Sequence, residues 1–249
     1  MKATMILCLL SLGPLASCQE KEKSPRAMID RTIPAGAPRA RAAAANVTPD
    51  LVRDLAALGL KIGSPVFIRA FKEEGQLELW VSHDLTGKFV RFRSYHIAAA
   101  SGTLGPKLAE GDGQVPEGFY HVPPAAMKSD SQFHLAFNIG FPNNYDRAYQ
   151  RTGSSIMIHG GRVSIGCLAM TDEKIEEIYT LCAAAHAGGQ PFFRLHLFPF
   201  RMTPERLSAA ADSPHYAFWQ NLKQGYDFFD STQLPPDVSV AAGRYVFHP

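Results

Sequence analysis

Apolar positions recur along the chain in two periods, and the alternation between them predicts the elements. Leu51, Leu55 and Leu58 fall at helical spacing behind Thr48-Pro49, an N-cap followed by proline at the first helical position, and Gly59 ends the run. Three strand-like runs follow over 66–71, 77–82 and 89–97. The turns Glu73-Glu74-Gly75-Gln76 and Leu85-Thr86-Gly87-Lys88 join them as a meander. Residues 98–118 are rich in glycine and poor in large apolar side chains, the composition of a functional loop or an active-site rim. A strand resumes at 119–122. Residues 133–139 then alternate strictly, with Phe133, Leu135, Phe137 and Ile139 on one face and His134, Ala136 and Asn138 on the other. His134 and Asn138 are candidates to line a polar cleft, or are solvated residues of an outer face. Ile156 to Ile158, bounded by Gly153-Ser154-Ser155 and Gly160-Gly161, reads as a short buried strand. Thr171-Asp172 opens a helix to about His186, whose acidic first turn suits the helix dipole and whose stripe Ile175, Ile178, Tyr179, Cys182 belongs in a core. A strand over 192–200 carries Arg194 and His196 on one face. Thr203-Pro204 and Ser213-Pro214 start two more helices, the second ending near Asp230 with an apolar set of Phe218, Trp219, Leu222, Tyr226 and Phe229. The last residues look irregular.

Residues 1–47 follow neither period. Met1-Lys2 precedes an apolar run over 5–15, too short for a membrane span but suited to export, and then Leu15-Ala16-Ser17-Cys18. That tetrapeptide looks like a bacterial lipobox. Cys18 would become the lipid-modified first residue of the mature protein, and Gln19 in second place, not Asp, points to the outer membrane. The competing reading is ordinary signal cleavage with Cys18 incidental. Pro34, Pro38 and a run of Ala and Arg then suggest a disordered tether. The expected layout is a signal peptide over 1–17, a tether over 18–47, a catalytic domain over 48–200 and a C-terminal helical extension over 201–249. At 46% hydrophobic and 19% charged residues, with net charge +2, the chain is an ordinary globular composition without the basic stripe of a nucleic-acid binder. No repeat, P-loop or CxxC pair appears, so no cofactor is expected.

The candidate chemistry lies in one loop. His159 stands at the end of the 156–158 strand, and Cys167 follows eight positions later, directly after Gly166. A free thiol, pKa about 8.5, is only a few per cent thiolate near neutral pH, so a neighbouring imidazole that takes its proton makes it a useful nucleophile. The glycine lets backbone approach a bound carbonyl and aims N–H groups at a developing oxyanion. Each residue alone also has an ordinary explanation: a cysteine as a small buried hydrophobe, a histidine as a structural hydrogen-bonder. His159 and Cys167 as two metal ligands lack the close ligand pairs of a zinc site. A Cys167–Cys182 disulfide would make Cys167 structural, but Cys182 sits on the apolar helical stripe.

His159-Gly160 followed by Ser164-x-Gly166-Cys167 resembles the active-site signature of the YkuD-type L,D-transpeptidases. The continuation Cys167-Leu168-Ala169-Met170 is similar to their YafK-like subgroup. Ser101 to Lys107, Glu110 to Gly113, Pro116 to Tyr120 and Phe137 to Asn143 share in the likeness, which runs from about Ser94 to Phe200. It implies an α+β fold with a YkuD-type β-sandwich-like core, peripheral helices and a C-terminal helical extension. It also implies a cysteine transferase of the periplasm acting on peptidoglycan stem peptides in cell-wall biogenesis and cell shape. In that reading Cys167 attacks the carbonyl of the third stem residue, a diamino acid, and His159 moves the proton. The Gly160 carbonyl orients the imidazole, Cys167 and Gly166 amides hold the oxyanion, and Ser164 supports the loop. Most of the wider family has Arg where Ala169 stands, which leaves two alternatives open: a hydrolase that passes the acyl group to water, and a non-catalytic wall-binding lipoprotein.

Overall fold

The computed structural model describes Ala27, Asp30, Ile33 and residues 37–249. The expected signal peptide, Cys18 and most of the expected tether lie outside the described residues. In chain order the elements are α1 (Pro38–Ala56), β1 (Val66–Phe71), β2 (Gln76–Ser82), β3 (Phe89–His96), β4 (Ala99–Ala100), β5 (Gly118–Val122), β6 (Met127–Lys128) and β7 (Ala136–Asn138). They continue with α2 (Asn144–Ala148), β8 (Met157–His159), β9 (Leu168–Ala169), α3 (Asp172–Ala187), β10 (Phe193–Phe198), α4 (Pro204–Ser208), α5 (Tyr216–Thr232), β11 (Asp237–Ala241) and β12 (Arg244–His248).

The meander forms as expected, in a sheet ordered β3-β2-β1-β10-β5 in which β1 runs parallel to β10. A second sheet is ordered β4-β9-β8-β7-β6, with β8 and β9 parallel. Leu79, Val122 and Leu195 of the first sheet meet Phe137, Ile158 and Leu168 of the second in one core, closed by Ile175 and Ile178 of α3 and by Leu51 and Leu55 of α1. This is the α+β, sandwich-like architecture expected. β1 is buried along its whole length because both faces are covered, which suits a strand that is apolar at every position but Arg69. Its outer face takes α5: Phe67 and Trp80 enclose Phe229, and Arg69 reaches both Glu78 at 3.0 Å and Asp230 at 2.7 Å. A buried guanidinium is tolerated there because two carboxylates and four aromatic rings surround it.

Three local expectations are corrected. The first helix starts at Pro38, not Thr48, so the last part of the expected tether is helical. Ala40, Ala43 and Ala44 are its buried stripe, and alanine combines the best helix propensity with a side chain too small to register as apolar periodicity. Pro49 lies inside the helix, and the Thr48 hydroxyl donates to the Ala44 carbonyl one turn back. The strand expected over 133–139 is only β7. His134 takes a left-handed φ of 65°, which breaks the alternation and leaves Phe133 exposed while Leu135, Phe137 and Ile139 stay buried. The chain does not end irregularly: β11 and β12 form a hairpin whose two turn residues, Ala242 and Gly243, both have positive φ, so the C-terminal extension is helical only to Thr232. Cys167 and Cys182 are both free thiols, in line with the placing of Cys182 on an apolar helical stripe.

Candidate active site

Two adjacent strands position the candidate base and nucleophile. β8 and β9 pair with Ile158 beside Leu168 and His159 beside Ala169. Extending that register by one residue sets Met157 beside Cys167, so His159 and Cys167 share a face, with Cα atoms about 8 Å apart at ordinary strand spacing and rise. The Met157 N–H donates to Cys167 Sγ at 3.3 Å, and the thiol donates to the Ser155 carbonyl at 3.8 Å. Thiol and imidazole are not hydrogen-bonded to each other, and a change of the cysteine rotamer would be the simplest way to bring them together.

His159 is 3% exposed, with Nδ1 2.6 Å from the Gly160 carbonyl oxygen. A carbonyl only accepts, so Nδ1 carries the proton and Nε2 keeps a lone pair for the thiol. The Phe133 ring, exposed to solvent on its other side, lies 4.7 Å from the imidazole and roofs it. Burial pushes the imidazole pKa down, and the Gly160 bond only partly offsets this, so the ring is neutral at pH 7. Burial also pushes the Cys167 thiol up, against the pull of the Met157 N–H and the Lys107 ammonium. The resting pair is therefore thiol plus neutral imidazole. A thiol in this state can act as a nucleophile only as its proton is removed.

Side chains from distant segments hold this loop. Gly160 has room for no Cβ: one would lie 2.5 Å from Asp172 Oδ1 and 2.8 Å from the Phe133 carbonyl oxygen. The Gly160 N–H is shared between the Phe133 and Leu135 carbonyls, both at 3.0 Å, and Asp172 Oδ1 accepts from the Gly161 N–H at 2.8 Å. On the cysteine side, Gly166 has φ of 80°, a conformation suited to glycine. Its N–H donates to Ser101 Oγ at 2.6 Å, and that hydroxyl donates to the Gly113 carbonyl at 2.6 Å. The Cys167 N–H donates to Ser164 Oγ at 3.1 Å. Both amides expected to hold the oxyanion are thus engaged by serine hydroxyls. The glycine-rich 101–118 segment is braced in turn by buried Glu117, which accepts from Lys72 Nζ, the Gly105 N–H and Trp219 Nε1 at 3.0, 2.7 and 2.8 Å. Lys107 is fixed on Asp112, whose carboxyl is held at about 2, burial being outweighed by that ammonium and three backbone N–H donors. His134, Ser155 and Thr171 are all non-glycine residues with left-handed φ, and all three border the site, where backbone strain tends to collect.

His159, Gly160, Ser164, Gly166 and Cys167 therefore come together. His134 stands beside Gly160, where its Nε2 lies 2.8 Å from Glu176 Oε1 and its carbonyl accepts from Arg39 of α1 at 2.8 Å. Asn138 pairs with Met157, but its side chain is spent locally, accepting from the Gly140 N–H at 2.9 Å. Ala169 is fully buried beside His159. Sequence reading missed Asp172 and Ser101 as loop holders. The first was legible only as a helix start, and the second touches Gly166 across 65 residues of sequence. Among the described residues, no three His, Cys, Asp or Glu side chains converge as metal ligands, and no helix is long and apolar enough to cross a membrane.

Residues 67–191 match the model of the YkuD L,D-transpeptidase catalytic domain. The chain is 47% identical over 185 residues to the YafK protein of Escherichia coli (strain K12), whose name carries the L,D-transpeptidase label, covering 74% of each chain; YafK of Escherichia coli O157:H7 matches equally. Among solved structures, the helical cell shape determining protein Pgp2 of Campylobacter jejuni aligns at 18% identity and TM-score 0.42, covering 76% of this chain and 79% of that one. Bd1075 of Bdellovibrio bacteriovorus aligns at 18% identity and TM-score 0.39, over 66% and 56% of the two chains.

Proposed function

Since the chain belongs to the YkuD family of L,D-transpeptidase catalytic domains, we propose that it is a cell-envelope acyl-transfer enzyme that acts on peptidoglycan stem peptides through a thioester on Cys167. The observation that carries this reading is the imidazole tautomer. With Nδ1–H committed to the Gly160 carbonyl, Nε2 is the basic nitrogen on the face that His159 shares with Cys167.

The reaction begins when Cys167 Sγ attacks the carbonyl carbon of the diamino-acid residue. A C–S bond forms while the thiol proton passes to His159 Nε2. The Cys167 N–H leaves the Ser164 hydroxyl, the longer of the two serine contacts, and donates to the oxyanion; Ser101 keeps Gly166 in place. Collapse of the tetrahedral intermediate breaks the peptide C–N bond, and the imidazolium returns its proton to the departing D-amino acid. An acceptor then attacks the thioester, gives its proton to His159, and releases Cys167, which recovers it. An amine acceptor makes this cross-linking or anchoring, and water makes it hydrolysis. Ala169, uncharged and buried where most of the wider family has Arg, offers no cation to hold an acceptor carboxylate, which favours water.

Incubation with defined tetrapeptide muropeptides, followed by product analysis, tests the proposal. Cross-linked products establish transfer, and cleaved products alone establish hydrolysis. Inert substrate with folded protein would leave the wall-binding alternative. His159→Ala should reduce turnover by about 10²–10⁴-fold, the usual cost of losing a general base, without loss of fold.

A further inference from the structure

The 131–134 loop brings one aromatic ring onto the candidate base, and separate elements hold it there. Strict alternation through 133–139 would place Phe133 in the core with Leu135, Phe137 and Ile139. The left-handed φ of 65° at His134 turns the chain before β7, so Phe133 leaves the core face and its ring lies 4.7 Å from the His159 imidazole, tilted by 38°. A left-handed histidine is uncommon and strained, and the ring it redirects stays 45% exposed, so the burial of Phe133 itself does not account for the conformation.

Hydrogen bonds from three directions support it. Arg39, in the first turn of α1, donates from Nη1 to the Ser131 and His134 carbonyls at 2.7 and 2.8 Å, across 92 and 95 residues of sequence. From α3, Glu176 Oε1 lies 2.8 Å from His134 Nε2. From the end of β8, the Gly160 N–H donates to the Phe133 carbonyl at 3.0 Å. Gly160 is also the residue whose carbonyl takes the Nδ1 proton of His159. Phe133 thus grips the base twice, by its ring on the imidazole and by its carbonyl on the residue that orients the imidazole.

We propose that Phe133 is a positioning residue for the general base and that Arg39, by tying both ends of the 131–134 loop to α1, holds it in place. The ring shields the imidazole from water, and this contributes to the burial that keeps His159 neutral at pH 7. The charged groups around the base are engaged or exposed: Asp172 accepts from the Gly161 N–H, Glu176 pairs with His134, Lys107 pairs with Asp112 on the cysteine side, and Arg162 and Glu173 face solvent. Removing Arg39 also removes a positive charge, so its effect is read from the ring contact, which charge does not mimic.

The inference rests on the proposed role of His159 only for its effect on rate, so the test reads the imidazole directly, by NMR of the His159 ring protons in the full chain through their titration. Phe133 and Arg39 are both exposed side chains, and their variants should fold. In the wild type the Phe133 ring current should displace the His159 resonances. Phe133→Leu, which keeps apolar cover without a ring, should lose the displacement and keep the low midpoint. Phe133→Ala should lose both, its midpoint rising toward the ordinary histidine value. Arg39→Ala should weaken the displacement, and Arg39→Lys should restore part of it. Arg53→Ala removes an arginine whose partners, Asp50 and Asp54, lie in the same helix, and should change nothing. Acylation of Cys167 by a carbapenem should slow about tenfold in Phe133→Ala and Arg39→Ala, short of the roughly 10²–10⁴-fold cost of losing the base itself. An unchanged midpoint and acylation rate in Phe133→Ala would overturn the role of the ring. A full displacement in Arg39→Ala, or an equal loss in Arg53→Ala, would overturn the role of Arg39. Wild-type protein with the expected spectra that no carbapenem acylates would instead count against the catalytic reading.

Discussion

Gly160→Ala tests whether a backbone carbonyl does the orienting work that a carboxylate does in other triads. A methyl there would meet Asp172 Oδ1, the Phe133 carbonyl oxygen and His134 Cβ at 2.5, 2.8 and 2.9 Å, against the 3.4 Å at which ordinary contact begins. The loop must therefore move by about 0.5–0.9 Å, because two of the obstacles are backbone or a carboxylate already bonded to Gly161. That movement carries the Gly160 carbonyl, and with it the imidazole. A displacement approaching 1 Å at a reacting group costs on the order of 10²-fold in rate, while overpacking costs about 1–3 kcal/mol, or roughly 2–4 °C of Tm per kcal/mol for a domain this large. The assay is the rate at which a carbapenem acylates Cys167, followed by intact mass at 25 °C and paired with a thermal melt. Gly161→Ala is the internal control: its φ is 74°, but the nearest atom to a Cβ is Phe133 Cδ1 at 3.8 Å, so it adds backbone strain of about 1–2 kcal/mol without the clash. The expected pattern is slow acylation for Gly160→Ala and near-normal acylation for Gly161→Ala. Acylation of folded Gly160→Ala within about threefold of the wild type would refute the orienting role.

The pH profile of acylation should show an acid limb with its midpoint below the ordinary histidine value, because burial lowers the pKa of the base and activity is lost only when His159 takes a proton; a midpoint at or above the ordinary value would mean that another group limits. Alkylation at neutral pH should modify Cys167 and spare Cys182, which is fully buried with its thiol pushed far above the ordinary range, and the Cys167 rate should keep rising as alkali is added; a pH-independent rate would show a preformed thiolate. Cys18→Ala should release the protein from membranes, since anchoring by one acyl chain is already marginal at about 10⁴ M⁻¹ and this variant would carry none. Retention of the variant, with no lipid mass on the wild type, would end the lipobox reading.

The sequence signals that survived folding were local ones. Val66–Phe71 reads as a strand from its run of apolar residues around Arg69, and the helix from Asp172 is announced by the threonine that caps it. His159 and Cys167 were legible because glycines and a short strand flank them. Where the reading failed, the deciding energy lay in distant partners or in small residues. Ala40 and Ala43 carry little apolar area each, so the stripe they bury on α1 escaped a search for large side chains. The closing hairpin turns on Ala242-Gly243, a weaker turn signal than Asn-Gly. The state of the thiol depends on burial, which no spacing of residues reports: desolvation favours the neutral thiol and the neutral imidazole. Ser101 holds the Cys167 loop, and Glu117 braces the segment read as a rim, through contacts that only the folded chain brings about.

The proposed acyl-enzyme can be observed directly. Acid quenching of the protein with a tetrapeptide muropeptide within the first turnover, followed by peptide mass mapping, should find Cys167 heavier by the muropeptide minus its terminal D-amino acid. Cys182 should be unmodified, the adduct should form far more slowly in His159→Ala, and Cys167→Ser should turn over no substrate. Turnover by Cys167→Ser, or cleaved product from wild-type protein that never carries the adduct, would contradict the account.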